Sequence, residues 1–314
     1  MVAKSSPLVT FLLLLVILIS TTSVHCKPTE NFLNHLEGCH KGQNVKGVHK
    51  VKQYLKKFGY LHYGDHSTHA NDDEFDNLLE SAIKTYQLNY HLKQTGTLNS
   101  ETLNKIIRPR CGFPDIINDT TRMHSGKKFQ HGPLSLHTVS HYSFFLGPSG
   151  PRRWRKTDLT YRFNSTVEVI DLPTLRPVIS RAFAKWSAVT RFTFTEAQDG
   201  ATSDIEIGFH RLNHGDNDPF DGEGDQTGNT LAHAYAPEIG LFHYDADESW
   251  STNPSPTQFD LETIAVHEIG HLLGLRHSKF TDAIMWTEIR PGETKTELTN
   301  DDVQGIRTLY GLSP

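Results

Sequence analysis

Eleven consecutive residues restrict this chain more than any other feature: His267-Glu268-Ile269-Gly270-His271-Leu272-Leu273-Gly274-Leu275-Arg276-His277. On a helix, residues four apart share a face, so His267 and His271 present two ring nitrogens to one ion. Glu268 then lies beside that ion, close enough to act on its bound water. A third histidine ten residues from the first would sit about 15 Å up a continuing helix, far beyond a zinc bond of about 2 Å. The helix must therefore stop, and Gly274, able to take a left-handed conformation, is where the chain turns to bring His277 back. Three neutral imidazoles leave a fourth position for water, the catalytic rather than the structural pattern of zinc coordination. A bare His-Glu-x-x-His is also compatible with an amphipathic helix carrying two solvated histidines. All five specified positions together, however, arise by chance in a chain this long only on the order of once in ten thousand.

The 314 residues suggest about two domains. A net charge of −5 gives no basic field for nucleic acid or an anionic membrane, so neither is expected as a partner. Hydrophobic residues make up 36% and charged residues 21%, too apolar and too weakly charged for a wholly disordered chain. Nineteen histidines are abundant for a side chain that is the commonest metal ligand. Lys4 precedes an apolar run from Phe11 to Ile19, followed by Ser20, Thr21, Thr22 and Ser23, which reads as a secretory signal. The run is shorter than the roughly 20 apolar residues that span a bilayer, so no membrane anchor is expected. Tyr310 to Pro314 likewise carries no apolar tail. Cleavage near Cys26 leaves two cysteines, Cys39 and Cys111. The expected product is a soluble, secreted, extracellular monomer. The sequons at Asn118 and Asn164 fit that route.

Helical periodicity appears over Gly47–Leu61, Phe75–Leu92 and Ser100–Ile107, predicting a small three-helix bundle. From Cys111 to Gly150 the chain turns polar and rich in Gly, Pro, His and Ser, as a linker would. A second unit follows, with strands at Leu159–Phe163, Phe192–Thr195 and Ile205–Phe209, and helices from Asp171 to about Val189, from Leu261 to Leu273 and from Asn300 to Leu309. His210–Glu248 reads as a long loop rich in Asp, Gly and His, which needs metal ions to offset its entropy. The boundaries drawn are a signal peptide over 1–26, a propeptide over 27–150 and a catalytic domain over 151–314.

The eleven-residue motif, with Met285 where a Met-turn would lie beneath the metal, resembles the metzincins. Within that clan the chain resembles the matrix metalloproteinases, specifically their secreted plant-type members, from Gly38-Cys39-His40-Lys41-Gly42 to the stretch Asp301–Gly311. The resemblance implies an α+β fold, a twisted mixed five-stranded sheet with three helices, preceded by the three-helix propeptide bundle. It also implies a zymogen that hydrolyses internal bonds of extracellular protein or peptide substrates. Zinc, held by His267, His271 and His277, would polarise water and the scissile carbonyl, while Glu268 takes the proton and passes it to the leaving amine. Pro109-Arg110-Cys111-Gly112-Phe113-Pro114-Asp115 is similar to the family's cysteine switch, with Phe113 in place of the usual Val. Cys111 would occupy the water's position, and Arg110 and Asp115 would pair to hold its loop. A Cys39–Cys111 disulfide is the alternative use of these cysteines.

The same resemblance implies a structural zinc held by His214, Asp216, His233 and His243, and a calcium held by Asp221, Asp245 and Glu248 with carbonyls of Gly222 and Gly224. Substrate would lie along an edge strand containing Ala232 and Ala234, with the S1′ pocket beside His267 walled by the segment after Met285. The family's Tyr-Pro pair is replaced there by Trp286-Thr287, so side-chain preference does not transfer. An activating protease would cut between Cys111 and Leu159, for which Arg152-Arg153-Trp154-Arg155 offers a basic site. Two other readings stand beside this one: a catalytically silent binding protein that keeps the fold, and a cell-wall amidase whose N-terminal bundle binds peptidoglycan.

Overall fold

The computed structural model describes residues 33–64, 68–118, 121, 123, 144–147, 150–198, 200–222 and 229–312. The expected signal peptide, Cys26, most of the linker and Gly224 lie outside them. No helix among the described residues is long and apolar enough to cross a membrane.

The N-terminal bundle contains α1 (Val48–Lys57), α2 (Asn77–Asn89) and α3 (Ser100–Ile106). Local chemistry sets their starts. Gly47, at φ 102°, turns the chain into α1. The side chains of Asp76 and Asn99 accept from Leu79 N and Thr102 N, satisfying amides that have no partner within the helix. Leu55, Phe58, Leu79, Ile83, Tyr86 and Leu103 fill the bundle's core.

After the bundle come the short strands β1 (Arg110–Cys111), β2 (Leu146–Gly147) and β3 (Gly150–Pro151). The C-terminal domain follows with β4 (Asp158–Phe163), α4 (Leu172–Ser187), β5 (Thr193–Glu196), β6 (Ile205–His210), β7 (Thr230–Ala234), β8 (Leu241–Asp245), β9 (Trp250–Ser251), β10 (Phe259–Asp260), α5 (Leu261–Leu272) and α6 (Asn300–Tyr310). The main sheet has the order β1-β7-β8-β6-β4-β5 and is parallel except between β7 and β8. Five of its strands and three helices belong to the C-terminal domain. The sixth strand, β1, comes from the end of the bundle and takes the outer edge of β7. Two strands, β7 and β8, lie inside the segment read as one long loop. Their pairing with each other, and of β8 with β6, supplies order that local sequence does not announce.

α5 is the axis of the domain, with every residue except Glu262 buried. It rests on α4, where the Trp186 indole donates to Val266 O at 2.9 Å. Its end is a paired turn: Gly274 N donates to His271 O and Leu275 N to Gly270 O, both at 2.9 Å, with Gly274 at φ 104°. The remaining carbonyls are satisfied from outside, Leu272 O by the Trp154 indole and Leu273 O by the Tyr310 hydroxyl. Met285 lies under α5, and buried Asp302 accepts from Ile284 N and Met285 N to hold that turn. A Cβ added at Gly270 would come within 2.3 Å of Met285 Sδ and 3.0 Å of Trp186. Gly270→Ala is therefore expected to lower stability by about 1–3 kcal/mol through overpacking, read from the urea midpoint. An unchanged midpoint would mean that Met285 moves aside freely.

Candidate metal centre

Two consecutive turns of α5 place His267 and His271 on one face, and the Gly274 turn returns His277 to it. The ring nitrogens of these three histidines and Cys111 Sγ all lie within 4.8 Å of one another. His267 Nδ1 donates to Ile284 O at 2.7 Å, His271 Nδ1 to Leu275 O at 2.8 Å and His277 Nδ1 to Asp115 Oδ1 at 2.9 Å. Each partner can only accept, so each ring carries its proton on Nδ1 and turns an Nε2 lone pair inward. Nε2 of His267 and of His277 is buried without a protein partner among the described residues. Burial pushes the pKa of His267 down to about 3 and that of His271 far below its ordinary value, which keeps both rings neutral as metal binding requires.

Cys111 Sγ sits 3.5 Å from His271 Nε2 and accepts from Phe113 N at 3.3 Å. Around tetrahedral zinc, sulfur and nitrogen ligands stand about 3.6 Å apart, so the donor set fits that ion. Burial, aided by Glu268, pushes the Cys111 thiol well up, and only a cation between it and the imidazoles would bring it down to a thiolate. Glu268 is fully buried. Neither of its carboxyl oxygens has an oxygen or nitrogen partner among the described residues, and burial raises its pKa to about 8.

Arg110 and Asp115 close the loop that carries Cys111, with Nη2 to Oδ1 at 2.7 Å and Nη1 to Oδ2 at 3.0 Å. Burial opposes ionisation of Asp115, but Arg110 and the His277 hydrogen bond outweigh it and hold the carboxyl well below its usual range. Cys39 and Cys111 are both free thiols, which removes the disulfide alternative.

A second cluster gathers His214 Nε2, His233 Nε2, His243 Nδ1 and Asp216 Oδ2, with separations from 2.8 to 3.4 Å. A tetrahedral zinc with bonds of about 2.0 Å needs edges near 3.3 Å, so this set also fits. Asp216 stays ionised despite burial because His233 and Asp218 N donate to it. Asp221 and Asp245 stand near each other, both with raised pKa, about 7 and about 6, chiefly through burial. Asp245 Oδ2 is buried without a partner among the described residues, and Gly222 N approaches the Asp245 carboxyl. Glu248 follows β8, with its backbone N bonded to Asp245 O. These acids and Gly222 are the described part of the expected calcium set.

Three features have no signal in the sequence. Phe113 lies over the His271 ring at 4.6 Å and is backed by Phe145. Trp286, expected to wall a substrate pocket, is buried against the bundle, edge-on to Tyr90 and stacked on His91. Beside it Glu288 pairs with Lys105 and Arg108. His210, read only as the start of the loop, stacks on His214 with its Nδ1 3.1 Å from Thr166 Oγ1.

The matrixin family model matches residues 153–311, and a peptidoglycan-binding domain model matches residues 44–106. Metalloendoproteinase 2-MMP of Arabidopsis thaliana is 43% identical over 309 residues, covering 94% of this chain and 78% of its own length. Metalloendoproteinase 1 of Glycine max is 44% identical over 283 residues, covering 88% and 85%. Human neutrophil collagenase is 35% identical over 273 residues, covering 85% of this chain and 51% of its own length.

Burial pushes His210 down to about 4, and His243 and His267 to about 3. An unfolded chain takes up these protons from about pH 6.5 downward, while the fold does not until near the depressed values. Their contribution to stability is therefore complete above about pH 6.5 and lost as pH falls toward 4. The buried Glu268, Asp221 and Asp245 carboxyls, raised to about 8, 7 and 6, act in the opposite sense over the same window, so the rings are read by difference: in chelator-treated protein the melting-temperature gap between wild type and His210→Gln should narrow as pH falls from 7 to 4. A constant gap would mean that the ring is solvated.

Proposed function

Since the chain belongs to the matrixin family and is a zinc metalloendopeptidase with a propeptide, we propose that Glu268 is its general base and that Cys111 silences it until the propeptide is removed. The observation that carries this reading is the convergence of three Nε2 lone pairs and one thiol beside a buried carboxyl. Zinc bound by His267, His271 and His277 supplies Lewis-acid chemistry, acidifying water and polarising a carbonyl oxygen. When Cys111 withdraws, solvent reaches the face of the tripod that the sulfur covered. The Glu268 carboxylate takes the proton from the attacking water and returns it to the leaving amine nitrogen.

The substrate is a protein. Its backbone would pair with the edge of β7 once β1 departs, since Ala232 O, now taken by Gly112 N at 2.7 Å, then becomes free. His214, Asp216, His233 and His243 would hold a structural zinc. Asp221, Gly222 and Asp245, with Glu248 and Gly224, would hold a calcium, so that both ions pin the segment between β6 and β8. The product is secreted to an extracellular site, the apoplast or the extracellular matrix, and acts as a monomer after a protease cuts between Cys111 and Leu159.

The test is hydrolysis of a quenched peptide by the purified precursor before and after an organomercurial. Activity should appear on treatment, and Glu268→Ala should lower it by about 10²- to 10⁴-fold. Silence of the treated wild type, or an active Glu268→Ala chain, would overturn the proposal.

A further inference from the structure

The three imidazoles of the tripod are not held alike. His267 and His271 each donate Nδ1–H to a backbone carbonyl of the C-terminal domain, Ile284 O and Leu275 O. His277 donates instead to a carboxylate, Asp115 Oδ1 at 2.9 Å, and that residue belongs to the propeptide, 162 positions away in the chain. An anionic acceptor fixes the tautomer as firmly as a carbonyl does, and it makes Nε2 a stronger donor. Asp115 is built into place for this. It is buried, its Oδ2 accepts from Tyr60 OH at 2.8 Å and from Arg110 Nη1, and its backbone N bonds Phe58 O at 3.1 Å. Oδ1 is shared between Arg110 Nη2 and the His277 ring, so the carboxylate does more than close the Cys111 loop.

We infer that Asp115 is a positioning residue of the metal centre: the propeptide tightens the tripod's hold on zinc through His277, independently of the ligand atom offered by Cys111. Removing the propeptide then withdraws two things in one event, the blocking sulfur and the carboxylate behind His277. The precursor keeps its metal securely, and the mature site holds it less tightly. This rests on the reading of His267, His271 and His277 as the catalytic zinc site.

The test uses the full-length precursor carrying Glu268→Ala, which prevents self-cleavage, and follows zinc release to a chromogenic chelator. Zinc from the His214 cluster provides an internal control phase. Asp115→Asn should release the tripod's zinc roughly ten- to a hundredfold faster, and should do so by a similar factor in a Cys111→Ser background. In the cobalt-loaded Asp115→Asn chain, the thiolate-to-metal charge-transfer band should persist, showing that Cys111 is still seated. Equal release rates would overturn the inference. So would an effect that disappears with Cys111→Ser, because Asp115 would then act only by seating the sulfur. If Asp115→Asn does not fold, the zinc-loaded precursor with its native Asp115 still decides. Its His277 Nδ1 proton should resonate downfield of those of His267 and His271 and lose that shift on propeptide cleavage; three equivalent shifts would overturn the inference. A precursor that binds no zinc beyond the equivalent held by the His214 cluster would instead overturn the underlying zinc assignment, and with it this one.

Discussion

A guanidinium and a carboxylate, both removed from water, hold the two parts of this molecule in register. Arg110 is 1% exposed and Asp115 2%. Their two-pronged contact closes a short turn with Cys111 at its tip, while the guanidinium carbon rests 3.5 Å from the centre of the Phe58 ring and Nη1 donates to Tyr90 OH at 2.7 Å. Removing one member of such a pair strands the other charge in a low-dielectric interior, at a cost of about 3–5 kcal/mol. With Asp115 Oδ1 bonded to His277 as well, the pair fixes the turn against the three rings. The bundle's aromatic core, Tyr54, Tyr60, Tyr86 and Tyr90, is organised around the same pair.

Around this joint the propeptide is woven into the domain it covers. β1 extends the main sheet beyond β7, Phe113 and Phe145 cover His271, and Trp286 leaves the C-terminal domain to complete the bundle's apolar cluster. On the function proposed above, each contact would occupy surface that a substrate needs: a strand edge, the face of the metal site and the segment beyond Met285. On that proposal, blocking would be spread over backbone pairing, ring stacking and charge pairing, with the sulfur at its centre.

Much of this was legible from local patterns. The α5 motif demanded a helix, a stop at Gly274 and a returning histidine, and the chain turns there with positive φ. Asp76, Asn99, Asp171 and Asp260 cap their helices because a short acceptor needs only the three residues that follow it. β8 was not legible as a strand, and β7 only through the family resemblance that put an edge strand at Ala232 and Ala234. Thr230–Ala234 is five residues between Asp- and Gly-rich stretches, and its extended form is held by partners on either side rather than by propensity. Nor did the sequence say that Trp286 faces the bundle, or that Asp115 reaches past Arg110 to a metal-site histidine.

What the sequence alone determined is the chemistry that spacing can carry: two histidines and a glutamate on one helical face, and a glycine that turns the chain to return a third histidine, whereas the Cys111 loop and the set of His214, Asp216, His233 and His243 were expected only through the family resemblance. Helical periodicity and a single permissive glycine suffice for the first group, because each relation spans few residues. Tertiary structure decided which free groups meet across long stretches of chain: Asp115 with His277, Trp286 with Tyr90 and His91, and β1 with β7. Those pairings lie where two distinct apolar cores bury surface against each other, and that fit depends on shape and desolvation across the whole interface, which no local pattern encodes.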